Sequence, residues 1–203
     1  MRRRLRTAVV TLALGLALAG CGRQQAGSDG PATGTGPAAS TTTGGGTEKP
    51  MSTMDMQGAA ERADSMLDLT LKAIEPSVQW AHGPTTTGSC DVTRRRTVMT
   101  IVAPERRQEF LDRVTEFWRD SDYRIKAVNK DEEFPAVYAQ AEGFGISVSV
   151  RGGGQVFFEA DSPCVRASKV ADSTSKPNGP AYEGVYPLPR PDVKSPYWSS
   201  GGA

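Results

Sequence analysis

The sequence predicts an α+β fold, a two-layer sandwich in which two helices pack on one mostly antiparallel sheet of four to five strands. Two amphipathic helical patterns and a series of short, alternating strands lead to this prediction. The predicted order is helix, strand, helix and then four strands. The predicted domain, residues 51–166, holds about 115 residues, which is enough for one hydrophobic core.

The first helix is predicted just after residue 52. Ser52 or Thr53 is suited to cap it, and Asp55 takes the place of the acid in a capping box. Pro76 then ends the pattern. Apolar side chains recur between these limits at helical spacing, at Met56, Ala60, Ala63, Met66, Leu67, Leu71 and Ile74.

The first strand and the second helix are predicted on either side of Pro104. Residues 97–102 are rich in β-branched side chains and predict a strand. Pro104 suits the first position of a helix, and Glu105 is favourable in its first turn. The apolar face of this helix is formed by Phe110, Leu111, Val114, Phe117 and Trp118.

Four further strands are predicted after Asp120, at residues 123–129, 136–142, 146–150 and 155–160. Ile146, Val148 and Val150 alternate with serines, a period of two that is typical of a half-buried strand. The three glycines at 152–154 predict the turn between the last two strands. They do not resemble a phosphate loop, because no Lys-Ser or Lys-Thr pair follows them.

Residues 1–20 have the parts of a secretory signal. Four arginines (Arg2, Arg3, Arg4 and Arg6) precede an apolar run at 8–17, which is too short for a stable membrane anchor of about 20 residues. The segment closes with Leu18, Ala19, Gly20 and Cys21, which resemble the lipobox of bacterial lipoproteins. This resemblance implies cleavage before Cys21, acylation of its thiol and a position on the outer face of the cytoplasmic membrane.

The lipobox, the spacer behind it and a small domain with two cysteines together resemble lipoproteins of actinobacteria, and distantly those of the LppA type. The lipobox is the specific match, and the resemblance provides no catalytic residue. The arginine run also weakly resembles a twin-arginine signal, but we favour the general secretory route.

Charge and cysteine content restrict the partners and the compartment. The chain has 24 basic and 23 acidic residues, and removal of the four signal arginines leaves 20 against 23, a net charge of −3. Net charge therefore gives no reason to expect a nucleic-acid partner. Cys90 and Cys164 remain after Cys21 is acylated, and in an oxidising compartment we expect them to form a disulfide.

Two segments outside the domain are predicted to be disordered. Residues 21–50 are mainly Gly, Ser, Thr, Ala and Pro and cannot bury enough apolar surface to fold, so they form a flexible spacer behind the acylated cysteine. Residues 167–203 are polar and proline-rich, and we interpret them as a tail with extended conformation. Aromatic residues in this tail would allow it to dock on a partner.

The sequence contains few residues for catalysis or metal binding. His82 is the only histidine, no nucleophile elbow accompanies it, and we place it in a loop or on the surface. We therefore expect no cofactor and no metal. Arg94, Arg95 and Arg96 are the one compact basic feature, and they form a candidate interaction patch for anionic lipid or polymer, or else a solvated entry to the first strand.

These observations favour a membrane-anchored, non-catalytic module of the cell envelope that binds a protein or a cell-wall polymer. Two alternatives stay open. One is a surface hydrolase that uses carboxylates, since the separation of two carboxyl groups is a property of the fold. The other is a small-ligand receptor, for which the chain is short because such receptors usually close two domains around the ligand.

Overall fold

The computed structural model describes residues 53–180 and 190–201. The predictions for the signal peptide, lipobox, Cys21 and spacer lie outside the described residues. The two helices are α1 (Met56–Lys72) and α2 (Arg107–Asp120), and no helix in the described part is long and apolar enough to span a bilayer. The strands are β1 (Trp80–His82), β2 (Thr86–Thr87), β3 (Val92–Val98), β4 (Arg124–Asn129), β5 (Ala136–Ala141), β6 (Phe144–Arg151) and β7 (Gln155–Asp161).

The strands form one antiparallel sheet in the order β1-β3-β7-β6-β5-β4. The short strand β2 is not part of this order and pairs with β3, as β1 also does. The predicted α+β class is confirmed. The predicted strand number is wrong, because the sheet has seven strands within the described residues and not four to five. The additional strands, β1 and β2, are only three and two residues long, too short to show an alternating pattern.

Both helices pack on the same face of the sheet. Helix α1 lies on β3 and β7, α2 lies on β4, β5 and β6, and the two helices also contact each other. Side chains at alternate strand positions enter the core between the helices and the sheet. Strand β6 shows this alternation of buried and partly exposed residues, as the sequence predicted. The largest apolar side chains that are fully buried there are Trp118, Trp198, Phe110 and Phe158.

Helix α1 begins two or three residues later than the capping-box pattern suggested. Asp55 itself is the N-cap, and its side chain accepts a hydrogen bond from the backbone N–H of Gly58 at 3.0 Å. Helix α2 is preceded by a short 3-10 turn, Pro104–Arg106, so that Pro104 starts the turn and not the α-helix.

The first long strand lies five residues before its predicted position. It runs through the three arginines as β3, whereas residues 97–102 were predicted. The β-branched residues after Val98 leave the sheet, and the N–H of Ile101 donates to the carbonyl of Val193 at 2.8 Å. Arg94 and Arg96 pair here with an acid of helix α1, a contact that no local pattern in the sequence reveals.

The predicted disulfide between Cys90 and Cys164 is confirmed, with Cα atoms 4.8 Å apart. It joins the segment before β3 to the segment after β7, and these two strands are neighbours in the sheet. The N–H of Val165 also donates to the carbonyl of Cys90 at 2.7 Å. The bridge therefore fastens the ends of two neighbouring strands, β3 and β7.

We expect the double variant Cys90→Ala/Cys164→Ala to unfold about 2 to 4 kcal/mol more easily than the parent, because the bridge restricts a 74-residue loop in the unfolded chain. Urea unfolding followed by circular dichroism measures this difference. Reduction of the parent protein should reproduce the loss, and reductant should not affect the variant. Equal stability of the oxidised parent and the variant would contradict the prediction.

The residues after β7 wrap around the domain in two segments, the first strap (168–180) and the second strap (190–201). In the first strap, the side-chain oxygen of Asn178 accepts from the backbone N–H of Trp80 at 3.0 Å, and the N–H of Gly179 donates to the carbonyl of Trp80 at 3.0 Å. A Cβ on Gly179 would lie 2.8 Å from that carbonyl oxygen, so only glycine allows this approach. The first strap thereby covers the outer edge of β1.

The second strap inserts Trp198 into the core. Its ring meets Phe110 edge to face at 5.2 Å, and its indole N–H donates to the carbonyl of Pro76 at 2.6 Å. The backbone N–H of Ala103 donates to the carbonyl of Trp198 at 2.8 Å. The predicted disorder of residues 167–203 is therefore wrong for both straps, while 181–189 and 202–203 lie outside the described residues.

A charged cluster fixes the second strap to helix α2. The carboxylate of Glu109 accepts hydrogen bonds from the hydroxyl of Tyr197, from Arg113 at 2.6 Å and from Arg106 at 2.8 Å. These donors, Tyr197 foremost, lower the pKa of Glu109 from 4.5 to about 2. Glu109 is thus a permanent anion that anchors the strap, the opposite of a protonated acid catalyst.

The low pKa of Glu109 predicts how this anchor responds to acid. Since the pKa is lower in the folded state than in the unfolded state, the stabilisation is complete above about pH 4.5 and is lost as the pH falls towards about 2. A carboxyl NMR titration should find the midpoint of Glu109 near 2, and Tyr197→Phe should raise it because the strongest donor is removed. A midpoint near 4.5 in the parent protein would contradict the prediction.

Candidate binding surface

The three arginines of the proposed patch do not share a surface. Arg94 and Arg96 point from β3 towards α1 and are 2% and 1% exposed, whereas Arg95 points to the opposite face of the sheet. The hypothesis of a joint interaction patch is therefore wrong for Arg94 and Arg96. Consecutive residues of a strand face opposite sides, so a run of three arginines inside a strand must divide in this way.

Arg94 and Arg96 neutralise two acids of helix α1. Asp64 lies with one oxygen 2.6 Å from Arg96 Nη2 and the other 3.2 Å from Arg94 Nε. Asp68, one turn further along, is 3.4 Å from Arg96 Nη2 and accepts a hydrogen bond of 2.5 Å from the hydroxyl of Ser175 in the first strap. Two positive charges therefore face two negative charges beneath the helix.

The remaining donors of the two guanidinium groups join the strand to its surroundings. Arg94 donates to the hydroxyl of Thr85 and to the carbonyl of Ala171, each at 2.7 Å. Arg96 lies 4.8 Å from the ring centre of Trp80, a cation–π distance. Because these contacts bring together α1, β3 and the first strap, the cluster holds the fold together and offers no free charge to a partner.

His82 lies at the end of β1 and not in a loop. Its Nε2 is 3.0 Å from the carbonyl oxygen of Ser175, and its ring meets Trp80 edge to face. Burial, followed by the nearby charge of Arg96, lowers the pKa of His82 below 6.5, so the ring is neutral at pH 7. Within the described residues, no group of three or more His, Cys, Asp or Glu side chains could hold a metal ion.

A cavity of about 380 Å³ lies between α1 and the first strap. Asp64, Asp68 and Arg94 line it together with Glu61, Lys72 and Asp172. Because Asp64, Asp68 and Arg94 already have partners within the cluster, we regard this cavity as a by-product of the cluster and not as a binding site.

The face of the sheet opposite the helices, here called the open face, differs in composition from the core. Pairing aligns Arg95 on β3 with Glu159 on β7, Glu159 with Ser147 on β6, and Ser147 with Tyr138 on β5. This transverse row crosses four strands, and three spacings of about 4.8 Å make it roughly 14 Å long. None of its side chains belongs to the hydrophobic core cluster.

Two aromatic side chains project from the β5 end of the open face. Tyr138 and Phe134 are each 45% exposed. A groove of about 410 Å³ runs beside them and is lined by Asn129, Phe134, Ala136, Tyr138, Ser149, Val150, Arg151 and Gly152. Exposed aromatic rings beside polar groups are typical of binding surfaces.

A second groove of about 340 Å³ lies at the β3 end of the open face. It is lined by Gly83, Pro84, Thr86, Arg95, Thr97, Arg151, Phe157 and Glu159. Arg151 borders both grooves, and its side chain is 57% exposed. The two grooves therefore meet at Arg151, which makes the open face the best candidate for a binding surface.

The sequence indicated one residue of this surface, Arg95, for its charge alone. Tyr138, Phe134, Arg151 and Glu159 were missed because their alignment depends on strand register. The alternation of serine and valine in β6 did show that one face of this strand is polar.

Comparison of the chain with protein-family models, with curated proteins and with solved structures finds no match. The assignment of a function therefore depends on the sequence signals and on the geometry of the open face.

Proposed function

We propose that this chain is a lipoprotein anchored through Cys21 on the outer face of the cytoplasmic membrane, and that its domain is a non-catalytic module that binds an envelope component on the open face. The lipobox at residues 18–21 supports the anchor, and the Cys90–Cys164 disulfide is consistent with an oxidising compartment.

The observation that carries the binding role is the composition of the open face. A sheet face that has no partner normally carries dispersed polar side chains, whereas this one places exposed aromatic rings beside two grooves that meet at Arg151. The remaining conspicuous charges, those of Asp64, Arg94 and Arg96, are used within the fold. A binding role requires a surface of this kind and no catalytic group.

Site-specific photocrosslinking in intact cells tests this proposal. A photoreactive amino acid replaces Tyr138 on the open face or, as the control, Leu69, an apolar residue of α1 that is 50% exposed. We expect crosslinks to an envelope component from position 138 and not from position 69. The same probe in a Cys21→Ala background should give fewer crosslinks, because the unanchored protein leaves the membrane.

Equal crosslinking from both positions, or crosslinking from position 69 alone, would contradict a binding role for the open face. Retention of the Cys21→Ala protein in the membrane fraction would contradict the lipid anchor. The two parts of the proposal can therefore fail separately.

A further inference from the structure

The charges of the open face are unevenly distributed. Glu159 Oε1 is 3.4 Å from Arg95 Nε and 3.5 Å from Arg151 Nη2, so two guanidinium groups share one carboxylate. This group carries one excess positive charge. Arg151 contacts Glu159, donates a hydrogen bond of 3.4 Å to Ser149, and places its guanidinium carbon 5.6 Å from the ring centre of Phe157, a cation–π distance. These contacts are long and the side chain is 57% exposed, so the guanidinium can bind an anion more closely.

An acidic turn lies beside the groove that Phe134 and Arg151 both line. Asp131, Glu132 and Glu133 occupy the turn that precedes Phe134. Asp131 accepts from the backbone N–H of Phe134 at 2.7 Å, which fixes this acidic turn beside the exposed ring. A ligand that covers both grooves therefore needs its negative group at Arg151 and an uncharged part at Tyr138 and Phe134.

The uncharged part of the ligand must suit an aromatic ring and short hydroxyl side chains. Tyr138 presents a ring with a polar tip, and Ser147 and Ser149 lie partly exposed on the neighbouring strand. A sugar ring has an apolar C–H face that stacks on an aromatic ring, and hydroxyl groups at its rim that hydrogen-bond to serine.

The edges of the sheet argue against an extended peptide. A peptide that adds a strand needs the free backbone groups of an edge. The first strap covers the β1 edge, and the β4 edge carries Arg124 and Lys126 and a bulge between Ile125 and Ala127, features that disfavour pairing. The centre of the open face offers only side chains.

We infer that the ligand of the open face is a carboxylate-bearing polysaccharide, with a carboxylate on Arg151 and a neighbouring sugar ring stacked on Tyr138. This inference rests on the proposed binding function and specifies its ligand class. A sugar polymer satisfies the charge of Arg151, the exposed ring of Tyr138 and the hydroxyl groups of Ser147 and Ser149.

Calorimetric titration of the acylated full chain in detergent tests the inference with four probes. Two are acidic, a hyaluronan octasaccharide and an oligogalacturonate, the third is the uncharged chitohexaose, and the fourth is poly-L-glutamate. We expect binding to at least one acidic sugar, weaker binding to chitohexaose and the weakest to poly-L-glutamate. Arg151→Gln should weaken binding of the acidic sugar about tenfold and leave chitohexaose unchanged.

Tyr138→Ala should weaken the binding of both kinds of sugar, because the stacking platform is removed. Matched controls lie on the helices, on the other side of the sheet. Arg119→Gln removes an exposed arginine of α2, and Leu69→Ala removes an exposed apolar side chain of α1. We expect both controls to bind like the parent protein.

Absence of binding to both acidic sugars would overturn the inference, as would poly-L-glutamate binding as tightly as the sugars, or an equal loss of binding in Arg119→Gln. These results leave the binding role of the open face intact if photocrosslinks from position 138 identify a protein. If position 138 gives no specific crosslink and the sugars do not bind, the proposed function fails as well.

Discussion

Asp64→Ala is expected to destabilise the domain by about 3 to 5 kcal/mol, because it leaves two buried arginines without their shared counter-ion. Arg94 and Arg96 are almost completely buried, and Asp64 is the acid closest to each of them, at 3.2 and 2.6 Å. An isolated buried charge cannot be solvated, so the helix must move away or the strand must open. Urea unfolding of the parent and the variant measures the loss.

Asp68→Ala is the matched control for this prediction. Asp68 lies one turn from Asp64 on the same helix and contacts Arg96 at 3.4 Å, but its side chain is 40% exposed. We expect a loss of no more than about 1 kcal/mol, the range of exposed ion pairs. Equal effects of the two alanine variants would contradict the special role of Asp64.

A triple variant separates the loss of charge balance from the loss of packing. Asp64→Leu, Arg94→Met and Arg96→Met together replace the buried charges by apolar side chains of similar size. Such replacements are often neutral or stabilising, so the triple variant should regain most of the stability lost in Asp64→Ala. If the triple variant is as unstable as Asp64→Ala, buried charge is not the cause. This comparison is decisive even if Asp64→Ala fails to fold.

The helices and the later strands could be predicted from the sequence because their signals are local. The apolar spacing of α2 and the alternation of β6 each describe contacts that one element makes with a common core. The pairing of Asp64 with Arg96 joins residues 32 positions apart in the chain, and the register of β3 on β7 joins residues that are still further apart, such as Arg95 and Glu159. An acid on the apolar side of α1, between Ala63 and Leu67, was the one signal of this pairing in the sequence.

The tail shows why composition alone mispredicted disorder. The two straps contain few large apolar residues, so their local hydrophobicity predicts disordered segments. They are nevertheless held by single side chains that enter sites built by distant elements, Asn178 at β1 and Trp198 beneath α2. Such anchors leave no periodic pattern in the sequence.

The second strap should therefore be a structural part of the domain, and Trp198→Ala tests this directly. Trp198 is completely buried, packs edge to face on Phe110, and donates its indole N–H to the carbonyl of Pro76. Removal of a buried tryptophan creates a cavity, and we expect the free energy of unfolding to fall by about 3 to 5 kcal/mol. Urea unfolding followed by far-UV circular dichroism measures this change independently of tryptophan fluorescence.

Two further variants define the origin of this loss. Trp198→Phe keeps an aromatic ring and removes the indole N–H, so the carbonyl of Pro76 loses its partner and a smaller loss of about 1 to 3 kcal/mol is expected. Tyr138→Ala removes an exposed aromatic side chain and should cost less than about 1 kcal/mol, since little buried surface is lost. If Trp198→Ala is as stable as Tyr138→Ala, the second strap does not contribute to the core. If the predicted order holds, the folded domain extends through the second strap, and truncation at residue 166 would remove part of its core.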